Sequence, residues 1–424
     1  MDQHVLALYH AGDFAAASRA LASAIGAAPE DRTAWRYLAL AFVGLQQHER
    51  VLGLMEARQQ HFADAASLFH DLLLELCATG QAGDFSRLVQ LIPPNTILAI
   101  ATEFLTGCLA VQHDAIETAL GHFNAASLAA ERCGPLLLGR DSLLSSIACL
   151  RQVLSNFADL DRLQAASRAE VLRQAPSLEP TIRLEREAAA GAQPFLCLVS
   201  GNALYLRRFG PGLIAALARA GIGAALHVHL VDGAAAPLVA ELSDAGGIAI
   251  GCSSESFRRE TGDAHRSASY YACARFARAG EIAAHYGKDL LILDMDVDTL
   301  GDARRLSEIM QQAELGFFSC NDLEPWLICR AAAVYMRRSP ETERYNDLAF
   351  KYIALKSERQ GFWGLDQAAL WLLSRYVAQR HPPFRTLELS AALGTTLDAF
   401  AHSAGSTAEK QRLRSAGVAA AQPS

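Results

Sequence analysis

The stretch Leu290-Leu291-Ile292-Leu293-Asp294-Met295-Asp296-Val297-Asp298 decides the fold class of the second half of this chain. An uninterrupted apolar run is typical of a strand buried on both faces, and three carboxylates follow it at every second position. In an extended chain such side chains share one face, so we expect Asp294, Asp296 and Asp298 to point together at the strand's carboxyl end. Closely spaced carboxylates suit Mg²⁺ or Mn²⁺, which also leave positions for substrate phosphates. The alternative is a strand followed by a solvated acidic turn.

The composition excludes several classes of protein. The chain has 424 residues, room for two domains, with 51% hydrophobic residues and a net charge of -7, which argues against nucleic acid as the main partner. The beginning, Met1-Asp2-Gln3-His4, lacks the features of a signal peptide, and no apolar run reaches the roughly 20 residues that span a bilayer. We therefore expect a cytoplasmic protein with no transmembrane segment. Its nine cysteines form no C-x-x-C pair, so a zinc or disulfide framework is not expected.

The first half has a helical period. Up to about residue 190 the apolar positions recur at three and four, and Leu8 and Phe42 lie 34 residues apart, the period of a tetratricopeptide repeat. Another step of the same length leads to Leu76, after which Gly83-Asp84-Phe85 repeats Gly12-Asp13-Phe14 slightly later than two full periods would place it. We predict a degenerate, tetratricopeptide-like helical repeat domain over residues 1–190. The alternative is an ordinary bundle of alanine-rich helices.

The second half alternates strands and helices. Residues 187–194 read as a linker, and the pattern beyond it predicts strands at Phe195–Val199, Leu226–Val231 and Gly247–Ile250, with helices at Phe209–Ala220 and up to about Ser243. Strands that alternate with helices imply parallel pairing. In such α/β sheets ligands bind at the carboxyl ends of strands, where we expect Ser200, Asp232 and Asp294.

Three later motifs carry polar side chains suited to a site. Phe317-Phe318-Ser319-Cys320-Asn321-Asp322 predicts a strand that ends in Asp322, a candidate base or acceptor contact; an Asx turn is the alternative. Phe362-Trp363-Gly364-Leu365-Asp366-Gln367 combines an aromatic face with groups that bond sugar hydroxyls, although Asp366 could simply begin a helix. The third motif is His402-Ser403-Ala404-Gly405, with Lys410 five residues beyond the glycine.

These motifs resemble those of glycosyltransferases of the GT-A fold, the glycogenin-like and related bacterial enzymes. The likeness covers about residues 195–415, and its main element is Tyr270-Tyr271-Ala272-Cys273-Ala274-Arg275-Phe276 ahead of the strand that ends in Asp294. It implies an α/β nucleotide-diphospho-sugar transferase domain that binds Mn²⁺ or Mg²⁺. The implied metal ligands are Asp294, Asp296 and His402, with Asp298 as an extra carboxylate.

The resemblance also implies roles for the remaining residues. Ser200, Arg275, Asp294 and Lys410 would bind the donor; the spacing before Lys410 is two residues longer than in the family's His-x-x-Gly-x-x-Lys segment. Trp363 and Asp366 would bind the acceptor, and Asp366, Gln367 and Asp322 are the catalytic candidates. We expect a sugar to pass from a nucleotide-diphosphate donor to a protein or glycan acceptor. The repeats would then bind the acceptor or a partner protein, or mediate self-association, and residues 416–424 would form a disordered tail.

Two other functions compete with this one. The chain could be a non-catalytic helical-repeat scaffold joined to a glycosyltransferase-like domain. Alternatively, Asp296-Val297-Asp298-Thr299-Leu300 resembles the start of haloacid-dehalogenase-type phosphatases, whose first aspartate is a nucleophile. Against the phosphatase, the motif's glycine is missing, strands precede the motif, and no later pair of aspartates completes a magnesium site.

Overall fold

A computed structural model describes residues 3–404 except 63, 94–95, 114, 134–146, 149, 152–153, 155–158, 190–193, 222, 244–247, 258–263, 320–327 and 361–363. Contacts divide the chain into two units, residues 1–155 with 323–325 and residues 156–322 with 326–424. The first unit is helical, and the second combines helices with a sheet, as the sequence predicts at this level. Of the helices described, none has the length and apolar character needed to cross a membrane.

The first unit is a series of antiparallel helices, and every second helix begins at a fixed interval along the sequence. The described helices are α1 (Gln3–His10), α2 (Phe14–Ala27), α3 (Arg32–Gly44), α4 (His48–His61), α5 (Ala65–Ala78), α6 (Ala82–Leu91), α7 (Ile97–Gln112) and α8 (Ile116–Cys133). The even-numbered helices begin at Phe14, His48, Ala82 and Ile116, and each start follows the previous one by the interval that separates Leu8 from Phe42. The interval is the one the sequence pattern indicates.

The turn before each even-numbered helix recurs with the same backbone geometry. Gly12, Gln46 and Gly80 have positive φ angles of 78°, 60° and 75°. The residue that follows each of them donates its N–H to the carbonyl five residues earlier, as in a Schellman motif: Asp13 to Leu8, Gln47 to Phe42 and Gln81 to Leu76. The apparent slip at Gly83-Asp84-Phe85 is therefore wrong. Gly80 is the counterpart of Gly12, because both take the left-handed position of the turn, which Gln46 takes in the repeat between them, whereas Gly83 lies in the first turn of α6.

Glycine and aromatic side chains meet where neighbouring helices pack. A Cβ atom on Gly44 would lie 2.5 Å from the ring of Phe14, and one on Gly107 would lie 2.6 Å from the ring of Phe123. Each ring therefore occupies space that only a glycine leaves open. One side of the even-numbered helices is fully buried and carries small and apolar side chains, among them Ala17, Leu21, Val51, Met55 and Ala119.

The second unit is built on an eight-stranded mixed sheet. Its strands are β1 (Arg183–Arg186), β2 (Phe195–Gly201), β3 (Leu226–Val231), β4 (Ile250–Glu255), β5 (Asp289–Leu293), β7 (Leu315–Ser319), β8 (Cys329–Met336) and β9 (Thr386–Glu388), and β6 (Val297–Leu300) pairs separately with β10 (Ala401–Ser403). The order is β1-β4-β3-β2-β5-β8-β7-β9. Strands β4, β3, β2 and β5 are parallel, while β1 and β8 run antiparallel to their neighbours.

Helices cover this sheet and carry several of the predicted site residues. The described helices are α9 (Leu160–Ala165), α10 (Arg168–Gln174), α11 (Ala203–Ala220), α12 (Ala235–Ser243), α13 (Ala264–Ala277), α14 (Ala279–Tyr286), α15 (Leu306–Ile309), α16 (Pro340–Gln360), α17 (Leu365–Arg380), α18 (Leu389–Leu393) and α19 (Leu397–Phe400). A short 3-10 helix follows α15 at Met310–Gln312. Apolar residues from β2, β3, β5 and α11 form the core between sheet and helices.

The structure differs from the order of elements expected from the sequence in three places. The segment before the expected linker contains a strand, because Arg183–Arg186 pairs antiparallel with Cys252, Ser253 and Ser254 of β4. Strand β4 begins at Ile250, where the sequence analysis ended it, and continues through polar residues to Glu255. Residues 156–189, which the sequence pattern assigned to the helical half, fall in the second unit.

The order in which the chain adds strands to the sheet reverses at β2. From β2 the chain adds β3 and then β4 on one side, and it later adds β5 on the other side of β2. Ligands of open α/β sheets bind in the crevice at the carboxyl ends of two such strands. In this protein that crevice lies after Gly201 and Leu293, which end β2 and β5.

Candidate functional site

The crevice between β2 and β5 is lined by polar side chains from both strand ends and from helix α13. Its lining includes Ser200, Asn202, Tyr205, Tyr271, Arg275 and Asp294. Ser200 Oγ accepts the N–H of Arg275 at 3.0 Å and donates to the carbonyl of Tyr271 at 3.0 Å. The end of β2 thereby fixes the position of α13 and of the Arg275 side chain.

Arg275 joins two carboxylates that are far apart in the sequence. Its side chain is 3% exposed, and its Nη atoms lie 2.6 Å from Asp294 Oδ1 and 3.0 Å from Asp366 Oδ2. It also donates to the carbonyl of Ala331 at 3.2 Å. Burial alone would lower the pKa of Arg275, but Asp294 and then Asp366 raise it, so the guanidinium stays charged. The structure thus brings together three residues that the sequence assigned to the site.

The sequence left open whether Asp366 belongs to a site or simply begins a helix, and in the structure its position is compatible with both. It lies in the first turn of α17, after Gly364 with a φ of 84°, and a carboxylate is favourable at that position. It is also buried against Arg275. The neighbouring Gln367 is partly buried, and its backbone N–H donates to Asp366 Oδ1 at 2.9 Å. The roles of Asp366 and Gln367 in catalysis stay predictions.

The three aspartates after β5 do not share one face. The chain turns at Met295 and Asp296 before β6 begins, so the extended geometry expected from the sequence is wrong at this point. Asp294 meets Arg275, whereas Asp296 is 3% exposed and accepts the hydroxyl of Tyr205 at 2.5 Å. The turn therefore separates the carboxylates into different environments.

Asp298 and His402 form a pair at the surface. Their Oδ1 and Nδ1 atoms are 3.0 Å apart, and the side chains are 39% and 60% exposed. Strand β10 places His402 opposite Thr299 of β6, which explains how a residue from the end of the chain reaches the aspartate turn. The hydrogen bond to His402 is the main cause that lowers the pKa of Asp298. Among the described residues, no group of three or more His, Cys, Asp or Glu side chains is arranged to hold a metal ion.

Sequence analysis did not nominate Asn202, Tyr205 or Tyr271 for the site. Asn202 is 4% exposed and caps α11, since its Oδ1 accepts the N–H of Tyr205 at 2.8 Å. Its Nδ2 donor and the Nε donor of Arg275 are buried, and neither has a hydrogen-bond partner among the described residues. The available signal was the Ser200-Gly201-Asn202 sequence, in which an N-cap residue follows a strand at a glycine.

Asp232 supports the neighbouring strand end. It has a φ of 61°, which is uncommon for a residue other than glycine. Its carboxylate accepts the N–H of Phe257 at 2.8 Å and the hydroxyl of Tyr271 at 2.9 Å. The prediction that Ser200, Asp232 and Asp294 lie at the carboxyl ends of parallel strands is confirmed by the strand bounds, with Ser200 still inside β2. Asp322, Trp363, Lys410 and the tail at 416–424 lie outside the described residues.

A buried ion pair lies one helical turn after Arg275. Arg278 and Glu255 have fully buried side chains, and Nε of Arg278 lies 3.0 Å from Glu255 Oε2. Arg278 also donates to Glu281 at 2.9 Å and to the carbonyl of Glu179 at 2.6 Å. Burial opposes the charge of Glu255, but Arg278 and then His229 lower its pKa to about 2. The pair is thus charged on both sides in the folded protein.

A line of hydrogen bonds extends from Glu255 across β3 and β4. The successive contacts are Glu255 Oε1 to His229 Nε2 at 2.8 Å, His229 Nδ1 to Ser253 Oγ at 2.9 Å, Ser253 Oγ to His227 Nε2 at 2.8 Å and His227 Nδ1 to Tyr286 Oη at 3.0 Å. Tyr286 Oη accepts the N–H of Ala188 at 3.1 Å.

One arrangement of protons satisfies every member of this line. With the proton of each imidazole on Nε2, the Tyr286 and Ser253 hydroxyls donate to Nδ1 of His227 and of His229, and the two Nε2–H groups donate to Ser253 Oγ and to Glu255 Oε1. Burial, followed by repulsion from His229, lowers the pKa of His227 to about 3, which agrees with a neutral ring.

In comparisons with known proteins, no family model matches this chain and no curated protein shows significant similarity to it.

Proposed function

We propose that the protein is a glycosyltransferase that binds a nucleotide-diphosphate sugar in the crevice between β2 and β5. The observation that carries the proposal is the pair of buried donors, Asn202 Nδ2 and Arg275 Nε, at the point where the sheet reverses its order. A buried donor left without an acceptor is costly, on the order of 1–3 kcal/mol, so a ligand that supplies acceptor oxygens would be favoured there. Phosphate and ribose oxygens are acceptors of this kind.

Arg275 would supply positive charge to the same place. Two carboxylates hold it in position, and one of them, Asp294, is 28% exposed at the crevice. A cation fixed in a buried environment stabilises negative charge without having to reorganise. We therefore assign Arg275 to the leaving diphosphate, Asp294 to the donor sugar, and Asp366 to positioning Arg275 beside the acceptor.

The divalent ion belongs to the proposal as well. Asp298 and His402 fit this role, because they are adjacent, exposed and chemically suited to Mn²⁺ or Mg²⁺, which need few protein ligands when phosphates supply the others. Asp294 and Asp296 are each engaged by another side chain in this structure. A bound ion would neutralise charge on the leaving diphosphate.

The helical unit would select the acceptor or hold a partner. Its turns recur at a constant interval at Gly12, Gln46 and Gly80, which supports a tetratricopeptide-like repeat, and such repeats present extended surfaces to peptides and proteins. A chain that begins near residue 159 retains α9, α10 and β1 and should still bind the donor, yet lose transfer to a protein or glycan acceptor. Full transfer by this shortened chain would contradict the assignment.

The two competing functions make different demands on the same residues. A phosphatase of the haloacid-dehalogenase type would use Asp296 as its nucleophile, but Asp296 is 3% exposed and bonded to Tyr205. A nucleophile needs access to the substrate, so this observation disfavours the phosphatase. A non-catalytic scaffold would have no reason to retain donors in the crevice, and it should bind no nucleotide sugar.

Calorimetric titration of the full chain with a panel of nucleotide-diphosphate sugars, in the presence of Mn²⁺, tests the proposal. Asn202→Asp is the decisive variant, because an aspartate still caps α11 but replaces the Nδ2 donor by a charged acceptor. The loss of one hydrogen bond to a charged group, about 1.5–3 kcal/mol, predicts binding that is weaker by about 10- to 150-fold. Asp302→Asn, at an exposed pair with Arg304, is the control. Equal affinity of Asn202→Asp and the unaltered protein would overturn the site.

A further inference from the structure

A second pocket of the α/β unit shares no lining residue with the crevice at the strand ends. Helices α9, α10 and α16 enclose a cavity of about 180 Å³. Its apolar lining consists of Leu160, Leu163, Val171, Leu355 and the ring of Tyr352. Leu160, Val171 and Tyr352 are almost completely buried, so this part of the cavity is rigid core. An apolar ligand body fits it.

The remaining lining is mostly cationic. Lys356, Arg359 and Arg162 border the cavity, and Asp159 is its one carboxylate among the residues that line it. Arg359 Nη2 is directed to Gln174 Oε1 at 3.0 Å. Within the described part of the chain, Lys356 has no carboxylate at salt-bridge distance, and its Nζ lies 5.8 Å from the centre of the Tyr352 ring. Positive charge therefore collects beside apolar surface in a protein whose net charge is -7.

Lys356 is the residue of this group that a ligand would affect most. Burial, and then the nearby Arg359, lower the pKa of its ammonium group to about 8, while Asp159 opposes them weakly. An amine in that state loses part of its charge under mildly alkaline conditions, because the site lacks a sufficient counter-charge. An anion placed beside it would restore the proton.

We propose that this pocket binds a small organic carboxylate whose apolar body is about the size of a benzene ring. An apolar cavity of about 150 Å³ is known to take up benzene, so the volume suits an aromatic or short branched acid. The carboxylate would lie between Lys356 and Arg359, with the apolar body against Leu160 and Val171. A monoanion is preferred to a phosphate dianion, since Asp159 adds repulsion at the same border.

Titration of the full chain with sodium benzoate at pH 8, in HEPES and in Tris buffer, tests this assignment. With nine non-hydrogen atoms, benzoate should bind with a Kd on the order of 1 mM. The two buffers differ in ionisation enthalpy, so the difference in heat measures proton uptake. Because the lowered pKa leaves Lys356 only partly protonated at this pH, binding should take up a fraction of a proton per benzoate.

Three variants test how the charge of Lys356 contributes to benzoate affinity and to proton uptake. Lys356→Met should weaken benzoate binding at least 10-fold, whereas Lys356→Arg should keep the affinity within about 3-fold and remove the proton uptake, since arginine stays charged. Arg344→Gln removes a positive charge from the same helix about 18 Å away and should change neither quantity. Benzamide, a neutral ligand of the same shape, should bind at least 10-fold more weakly than benzoate.

Several results would overturn the proposal. No saturable benzoate binding, or equal binding by Lys356→Met, would remove the site. Equal affinity for benzamide would show that charge plays no part. Tighter binding of phenyl phosphate than of benzoate would reassign the pocket to phosphates. None of these measurements involves a nucleotide sugar, so they are independent of the proposed transferase activity.

Discussion

The two units of this protein owe their order to different kinds of interaction. In the helical unit the same left-handed turn recurs at Gly12, Gln46 and Gly80, and each turn is closed by hydrogen bonds within a few residues of sequence. In the α/β unit Arg275 reaches Asp366 across 91 residues, and Arg278 reaches Glu255 inside the core. Local repetition therefore builds the first unit, whereas buried charges from distant segments hold the second.

The largest expected effect comes from removing one of these buried charges. Glu255→Gln removes the fully buried counter-ion of Arg278 and leaves only Glu281, whose side chain is 19% exposed, beside the guanidinium, which costs up to about 3–5 kcal/mol of the free energy of unfolding. The loss should be confined to the α/β unit. Hydrogen exchange followed peptide by peptide measures it, because peptides of α2 and α7 should keep their protection while those of β3 and β4 lose it.

The control for this variant removes a carboxylate from an exposed pair. Asp302→Asn affects the ion pair with Arg304, in which both side chains are about half exposed, so exchange should be unchanged in both units. A global loss of protection in Glu255→Gln, equal in the helical peptides, would show that the units do not differ as we describe.

Acid should also distinguish the units. The pKa of His227 is about 3 in the folded protein against an ordinary value of 6.5, so below pH 6.5 the unfolded chain binds a proton that the folded chain refuses. The free energy of unfolding therefore falls as the pH falls from 6.5 toward 3. The slope for one proton is about 1.4 kcal/mol per pH unit. Glu255, with a folded pKa of about 2, adds a further loss below pH 4.5.

Urea unfolding of the α/β unit between pH 8 and pH 5 checks this effect. His227→Asn removes the titrating ring, so its free energy of unfolding should fall less steeply below pH 6.5 than that of the unaltered protein. At pH 8 the ring is unprotonated in both the folded and the unfolded state. The difference in free energy of unfolding between the two proteins at this pH therefore measures only the lost hydrogen bonds. Parallel pH curves for the two proteins would contradict the assignment of the slope to His227.

The smallest expected effect tests the repeated turn with two glycines of the helical unit. Gly80→Ala forces a Cβ atom onto a backbone with φ of 75° and should cost about 1–2 kcal/mol. Gly53→Ala lies inside α4, where an added Cβ meets nothing within 4 Å, and should stabilise by up to about 1 kcal/mol. Opposite signs in thermal unfolding would support the turn, and a stabilising Gly80→Ala would refute it.

Most of the helical unit could be predicted because its signal is local. The spacing of Leu8 and Phe42 indicates the repeat period, and the same interval separates the starts of the even-numbered helices. The prediction from the side-chain pattern was wrong at Gly83-Asp84-Phe85, because it aligned these residues with the identical sequence Gly12-Asp13-Phe14. The backbone follows the position that needs a positive φ, which is Gly80.

The α/β unit was less predictable because its buried polar residues bond to partners that are distant in the sequence. Strand β3 matches its predicted bounds, but β4 was missed after Ile250 since Ser253, Ser254 and Glu255 look like loop residues. Ser253 and Glu255 are buried because His227, His229 and Arg278 satisfy them, and Ser254 donates to Glu185. In the candidate site, the strand ends at Ser200 and Asp294 followed from the apolar runs. The turn that separates Asp294 from Asp298 and the contact of Arg275 with Asp366 did not.

The polar line across β3 and β4 also determines how these strands align. Every residue of both strands is buried, so the contrast between a solvated face and a buried face, which normally specifies register, is missing. Sliding β4 by one residue would turn Ser253 and Glu255 to the opposite face and bring Cys252 and Ser254 beside the imidazoles of β3, so that His229 would lose its bond to Glu255. We expect that the mispaired sheet is excluded by the desolvation of these groups, so that hydrogen bonds choose one alignment among several of equal hydrophobicity.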